Sequence, residues 1–488
     1  MPGAGLGDTG VLDLETADAA RSDVDAAPSE MGAPDGAVDL AVAEAGWDEG
    51  SVPDSRVSDA APIDAAAPID AAAPIDAAAP IDAAEASVDG GLGEEAGVAD
   101  GGPTSISPWP LSSEPFELTG SRVDSDALGA DAFGRAVAIS DDGNVIAIGA
   151  YTDDSSERGV NPSLDDDDLT NAGAAYVFRR ASDGTWSEEA YLKAEYPDAQ
   201  ARFGIGIALS GDGTTLAVVA DADRGAGLGE ESSPIGSVEA TALYLFRYNA
   251  GTWRQLQYLR VDEDDSSVPS LQLARNSECI LMGGTDKSVL VPVDGRWLVR
   301  SVSGFQGARL QSDCRRLVWS RAADELATAR LDPLTLEQSA PFVTSPPGGS
   351  AGSALGYRIR LSRSGDRMAA SRHLHNSMGS RAGTILLFSN AEDAWLPETT
   401  VRSDDPIADG FFGFYMELSA EGTRVVASEA RGEGTTRLHY AEQDTSPSRW
   451  THRGSVDLAD FGVVALAMDA EGNRVVVGSD DNRVLVLE

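Results

Sequence analysis

Apolar and polar positions alternate most clearly in Phe133–Ala150, FGRAVAISDDGNVIAIGA. Val137 and Ile139 alternate with small residues, Asp142-Gly143 interrupts, and Val145, Ile146 and Ile148 resume the apolar run. A period of two on both sides of an Asp-Gly pair predicts two short strands around a tight turn, because glycine accepts the positive φ that the turn requires. Counting from Ala138, the same pattern returns at Ala208, Gln272, Arg309, Arg360, Glu417 and Ala467. The spacing, about 37 to 70 residues, is that of one antiparallel repeat with loops of variable length.

A second apolar element follows the hairpin in most copies: Ala172–Arg180, Ala240–Tyr248, Lys287–Val293, Ala382–Asn390 and Thr435–Ala441. A third begins at Trp186, Trp253, Trp297, Trp395 and Trp450, which predicts a packing slot between repeats. Hairpin, third strand and fourth strand make a four-stranded blade, so the expected fold is all-β, a seven-bladed β-propeller over residues 106–488. The last copy ends at Glu488 with three strands, while the apolar segment Trp109–Leu118 precedes the first hairpin. That N-terminal segment is expected to supply the missing strand and close the ring, which hides edges that would otherwise invite aggregation.

Phe-Gly opens the hairpin at Phe133-Gly134, Phe203-Gly204, Phe412-Gly413 and Phe461-Gly462, with Leu355-Gly356 as a variant. The fourth copy has Phe305-Gln306-Gly307 and the third has no counterpart. Together with the Gly-Ala ending of the hairpin and the GAAYVF and GTW strands, these residues resemble FG-GAP repeats, the blades of integrin-α-type propellers and of many bacterial extracellular proteins. The resemblance implies a role in adhesion or recognition and calcium sites in the loop between the first two strands. In this chain that loop is as short as Ser140-Asp141-Asp142-Gly143-Asn144, which suits a turn better than the six to eight oxygens calcium needs. No metal or other cofactor is therefore expected, with a weak calcium site in the acidic loops left open.

Of 488 residues, 80 are acidic and 36 are Lys or Arg, a formal charge of −44. Residues 1–105 hold 23 of the acids and two arginines, and repeat APIDAA with prolines at 62, 68, 74 and 80. A proline every six residues blocks helix, and one isoleucine per repeat buries too little area to offset ordering entropy. This segment is expected to be a disordered acidic linker. The propeller part is acidic too, so nucleic acid is a poor partner on electrostatic grounds. No apolar run approaches the roughly 18–20 residues that cross a bilayer, so no membrane insertion is expected. No signal peptide is visible at the N-terminus; an export signal would lie upstream of Met1.

The insertions between second and third strands, residues 151–171 and 221–239, fall on the same face as the blade-to-blade connections. That face is expected to be acidic and loop-rich, with Asp153, Asp154, Asp165, Asp167, Asp221 and Asp223 as candidate binding-face residues. Cys279 and Cys314 fall in matching hairpin turns of adjacent blades on the opposite face. They read either as a disulfide, which would favour an oxidising compartment, or as two thiols packed as small hydrophobes. His373 and His375 lack a third metal ligand, and His439 and His452 read as structural strand residues. No catalytic motif stands out. First-strand residues, expected to line the axis, read as mainly small or apolar. The leading expectation is a monomeric, non-catalytic, extracytoplasmic propeller that binds a protein or glycan. The alternatives are a hydrolase or lyase with a site in the central channel, and a degenerate intracellular scaffold.

Overall fold

The computed structural model describes residues 115–488 apart from 124–130, 164–165, 227–232, 234–235, 237–238, 262–269, 284–286, 295, 303–306, 323, 333–334, 336, 347–352, 377, 392–393, 433 and 445–448. The linker expected over residues 1–105 lies outside the described residues, as does Asp165.

Seven four-stranded antiparallel sheets form the blades of a propeller. Blade 1 contains Phe133–Ile139, Val145–Ala150, Ala174–Arg180 and Trp186–Leu192, in that order from the inside outward. Blades 2 to 6 repeat this order, opening at Gly206, Ser270, Arg309, Leu355 and Met416. Blade 7 has three strands from the C-terminus, Val463–Met468, Val475–Ser479 and Val484–Leu487; its outer strand is Phe116–Leu118. The register Phe116↔Val486, Glu117↔Leu485, Leu118↔Val484 closes the ring as the sequence pattern predicts. Blade 4 was the least legible. Its third strand, Glu325–Arg330, and outer strand, Phe342–Thr344, lack the long apolar run and the tryptophan that mark blades 1, 2, 3, 5 and 6.

The core lies in the seams between blades. Among the described residues each apolar cluster draws on two neighbouring blades; one, for example, joins Val145, Ala175 and Leu192 of blade 1 to Leu216, Tyr244 and Trp253 of blade 2. The Phe-Gly dipeptide explains how blades meet so closely. Phe203 is fully buried, with its ring edge-on to Tyr244 and Phe246 at 5.1 and 6.1 Å. Its backbone N–H donates to Ala172 O at 3.1 Å, which ties the start of blade 2 to the residues leading into the third strand of blade 1. Phe412 docks on Ala382 O in the same way at 2.9 Å. Beside Phe203, Gly204 has φ +97°, and a Cβ added to Gly149 in blade 1 would stand 2.0 Å from its carbonyl oxygen. A side chain at either glycine would push two backbones apart.

Tryptophans cement the outer part of the seams. Trp253 of blade 2 donates its indole N–H to Glu189 of blade 1 at 3.0 Å, and Trp395 of blade 5 to Thr328 of blade 4 at 2.7 Å. On the turn face the hairpin tips are stitched to one another: Asp141 N–H to Gly211 O, Gly211 N–H to Arg275 O, Arg363 N–H to Ala420 O, Ala420 N–H to Ala470 O, and Ala470 N–H to Asp141 O. The hairpins of blades 1–3 and 5–7 are thus also links of an arc around the axis. Replacing Gly149 with alanine is expected to destabilise the propeller by about 1–3 kcal/mol, because the neighbour that must move is backbone; equilibrium denaturation against the unsubstituted chain measures this.

Candidate functional site

The acidic residues of the loop-rich face divide into internal struts and surface groups. Asp153 is buried and accepts the Lys193 ammonium at 2.6 Å, the Tyr191 hydroxyl at 2.9 Å and the Ser155 N–H at 3.1 Å. Burial pulls the Lys193 ammonium below its ordinary pKa, against the opposing pull of Asp153. Asp223 fills the same role in blade 2: it is buried and accepts the hydroxyls of Tyr244, at 2.5 Å, and Tyr258, together with the Gly225 N–H. Burial pushes its carboxyl up, and those hydrogen bonds pull the other way. These two carboxylates are consumed mainly by strand residues of their own blades, which corrects the expectation that they face a partner. Asp221 pairs with Arg202 at 2.7 Å and Asp154 accepts the Asn171 N–H at 2.6 Å, so both brace loops as well. Asp167 is exposed.

The channel differs from the small, apolar lining that the sequence suggested. A cavity of about 260 Å³ is walled by Ala136, Ile207 and Leu466, but also by Arg135, Arg358, Arg360 and Glu417. Arg360 grips Glu417 with two hydrogen bonds of 2.7 and 2.6 Å. Burial, followed by the neighbouring Arg360 and Arg358, pushes the Arg309 guanidinium down to about 9. The axis of an acidic protein is therefore locally cationic. A signal for this was present in the repeats: one slot reads Ala138, Ala208, Gln272, Arg309, Arg360, Glu417 and Ala467, with opposite charges in blades 5 and 6. At the turn face Asp141 of blade 1 holds Arg275 of blade 3 at 2.7 Å and Arg363 of blade 5 at 2.5 Å, a reach that only a position near the axis allows.

At the loop-rich end, blades 5 to 7 surround a second cavity of about 380 Å³, bounded by His373, Phe411, Phe414, Tyr415 and Val463. Its aromatic groups are mutually packed: His373 lies 4.4 Å from Tyr357 and 5.3 Å from Phe414, and Phe414 is 5.0 Å from Tyr415. Arg358 sits over both Tyr357 and Tyr415, at 5.3 and 5.2 Å. Tyr415 borders this cavity and the channel, so aromatic mouth and cationic axis are contiguous. Burial, then Arg358, hold His373 down at about 4, which leaves it neutral at physiological pH. Aromatic faces with a guanidinium behind them suit a ligand with flat or apolar surface and an acceptor or anionic group. A larger concavity of about 840 Å³, along Gln311, Arg316, Arg330 and Ser339, is polar and has no such convergence.

Cys279 and Cys314 are joined by a disulfide across blades 3 and 4. His439 and His452 are brought to within 3.2 Å of one another, beside Asp404, a meeting that residue spacing did not reveal.

Residues 122–178, which include the first two strands of blade 1 and most of its third, match the FG-GAP repeat family. This is a propeller carrying an FG-GAP repeat. Such a propeller is of the binding and adhesion type in general, and the Phe-Gly seams are the physical content of the motif. No curated protein sequence matches the chain. Among solved structures, the Cps50 (Swd1) β-propeller domain of Myceliophteria thermophila is 10% identical, with a TM-score of 0.49 and coverage of 76% of this chain and 97% of that one. A chain of the mitotic checkpoint complex is 12% identical, with a TM-score of 0.47 and coverage of 82% and 98%.

The buried Asp153–Lys193 pair yields a direct test of the strut role. Lys193→Met leaves a buried carboxylate uncompensated and is expected to cost about 3–5 kcal/mol in chemical denaturation, most of which the added Asp153→Asn change restores. A cost of Lys193→Met below about 1 kcal/mol would contradict that role.

Proposed function

We propose that this FG-GAP propeller is a non-catalytic recognition module that takes a protein or glycan partner at its loop-rich face, anchored in the aromatic mouth between blades 5 and 7. The supporting observation is the joining of that cavity to the Arg358 guanidinium through Tyr415. Buried aromatic and arginine side chains supply most of the energy at recognition surfaces, because they offer large rigid area with a polar handle. The partner inserts a flat apolar, sugar or acidic group into the mouth, while exposed groups such as Asp167 form the rim.

The channel supports this reading over a hydrolase or lyase. Acid–base work at an axis needs paired carboxylates or histidines with separated pKa values. Here Glu417 is locked to Arg360, and His373 is held in its neutral form. The inter-blade disulfide supports an oxidising, extracytoplasmic setting.

The test is a screen of the full chain against glycan and immobilised-protein panels. Each binder found is then measured with Phe414→Ala and Arg358→Ala. Each substitution is expected to weaken binding at least about tenfold, roughly 1.4 kcal/mol. Binding that neither substitution changes, or turnover of a bound glycan, would contradict the proposal.

A further inference from the structure

Blade 6 contains a cluster that the recognition role does not use. His439 lies in the third strand, Thr435–Gln443, and His452 in the outer strand, Trp450–Leu458. A register shift between Tyr440 and Ala441 changes the pairing between the two strands. His439 Nδ1 lies 3.2 Å from His452 Nε2 and 3.5 Å from Asp404 Oδ1. The other Asp404 oxygen is 3.6 Å from His452 Nδ1. One ligand atom from each of the three residues lies within 4.8 Å of the other two.

The geometry points to a transition-metal site, with Zn(II) as the natural occupant, held by His439 Nδ1, His452 Nε2 and Asp404. Zinc binds nitrogen at about 2.0–2.1 Å in a tetrahedron, which places its ligand atoms roughly 3.3–3.4 Å apart. The two shortest separations above bracket that value. Two imidazoles and one carboxylate select a borderline metal over calcium, which requires more oxygens.

The surroundings are built for this role. Glu429 is fully buried and accepts His439 Nε2–H at 2.8 Å. That bond fixes the tautomer, so the Nδ1 lone pair points at the cluster, as in carboxylate–histidine–metal relays. The same Glu429 oxygen accepts the Ser403 hydroxyl at 3.0 Å, which anchors the residue preceding Asp404. Asp405, Glu429 and Asp457 pair with Arg431 and Arg437 while Asp404 faces the two histidines, so these four carboxylates exceed the two guanidiniums by two negative charges, which a divalent cation balances. Asp404 is half exposed, which leaves a fourth coordination position to water.

The experiment titrates chelator-stripped full-length protein with Zn(II) by calorimetry and with Co(II) by visible absorption. The expected result is one saturable site per chain, Co(II) bands of four-coordinate intensity, and a zinc-dependent rise in melting temperature. His452→Ala and Asp404→Asn, both at partly exposed positions, are expected to abolish these signals while melting like the unsubstituted chain in chelator. Absence of a saturable site in folded protein would overturn the proposal. So would undiminished binding by the double variant, which would assign the uptake to the acidic surface at large.

Discussion

The structure depends on the contact by which one blade starts against the third strand of the blade before it. A phenylalanine ring fills the seam, its backbone N–H bonds to the preceding blade, and the adjoining glycine lets two main chains touch. Phe133, Phe203, Phe412 and Phe461 are all at most 1% exposed, and the backbone N–H groups of Phe203, Phe412 and Phe461 donate to Ala172, Ala382 and Gly434 of the preceding blades. The ring supplies buried area, while the glycine permits the spacing at which that area is dry.

Where the dipeptide is lost, other devices hold the ring. Blade 3 lacks Phe-Gly, and the inner strand of blade 4 is only Arg309–Leu310. There the Gln272 side chain makes two hydrogen bonds, of 2.6 and 3.0 Å, to the backbone of Leu310. The Cys279–Cys314 disulfide closes a loop with a sequence separation of 35 across the same seam, a constraint worth roughly 3–4 kcal/mol against the unfolded chain. Charge follows a similar logic. Carboxylates at the base of the long loops are spent inside the blades, arginines gather at the axis, and the surplus of acid is left to the surface.

The parts of this architecture written in local pattern were readable from the chain alone. Alternation around turn glycines gave the hairpins, tryptophans marked the outer strands, and the three-strand last copy implied closure by Phe116–Leu118. What stayed hidden depends on register or enclosure. Asp153 and Asp223 look like loop acids until the tyrosines that cover them are placed. Asp404, His439 and His452 are separated by whole strands, and a register shift in blade 6 lies between the two histidines. The arginine axis was visible only as a slot in aligned repeats, where Arg360 and Glu417 stand in matching positions. Blade 4 hid its outer half because short strands with few apolar residues give periodicity little to act on.

The most direct test of the seam is a comparison of two phenylalanines by equilibrium denaturation. Phe203 is fully buried between blades 1 and 2, whereas Phe342, in the outer strand of blade 4, is 49% exposed. Phe203→Ala should cost about 3–5 kcal/mol, and Phe342→Ala no more than about 0.5 kcal/mol. Equal costs for the two substitutions would contradict the claim that the Phe-Gly seam holds the ring.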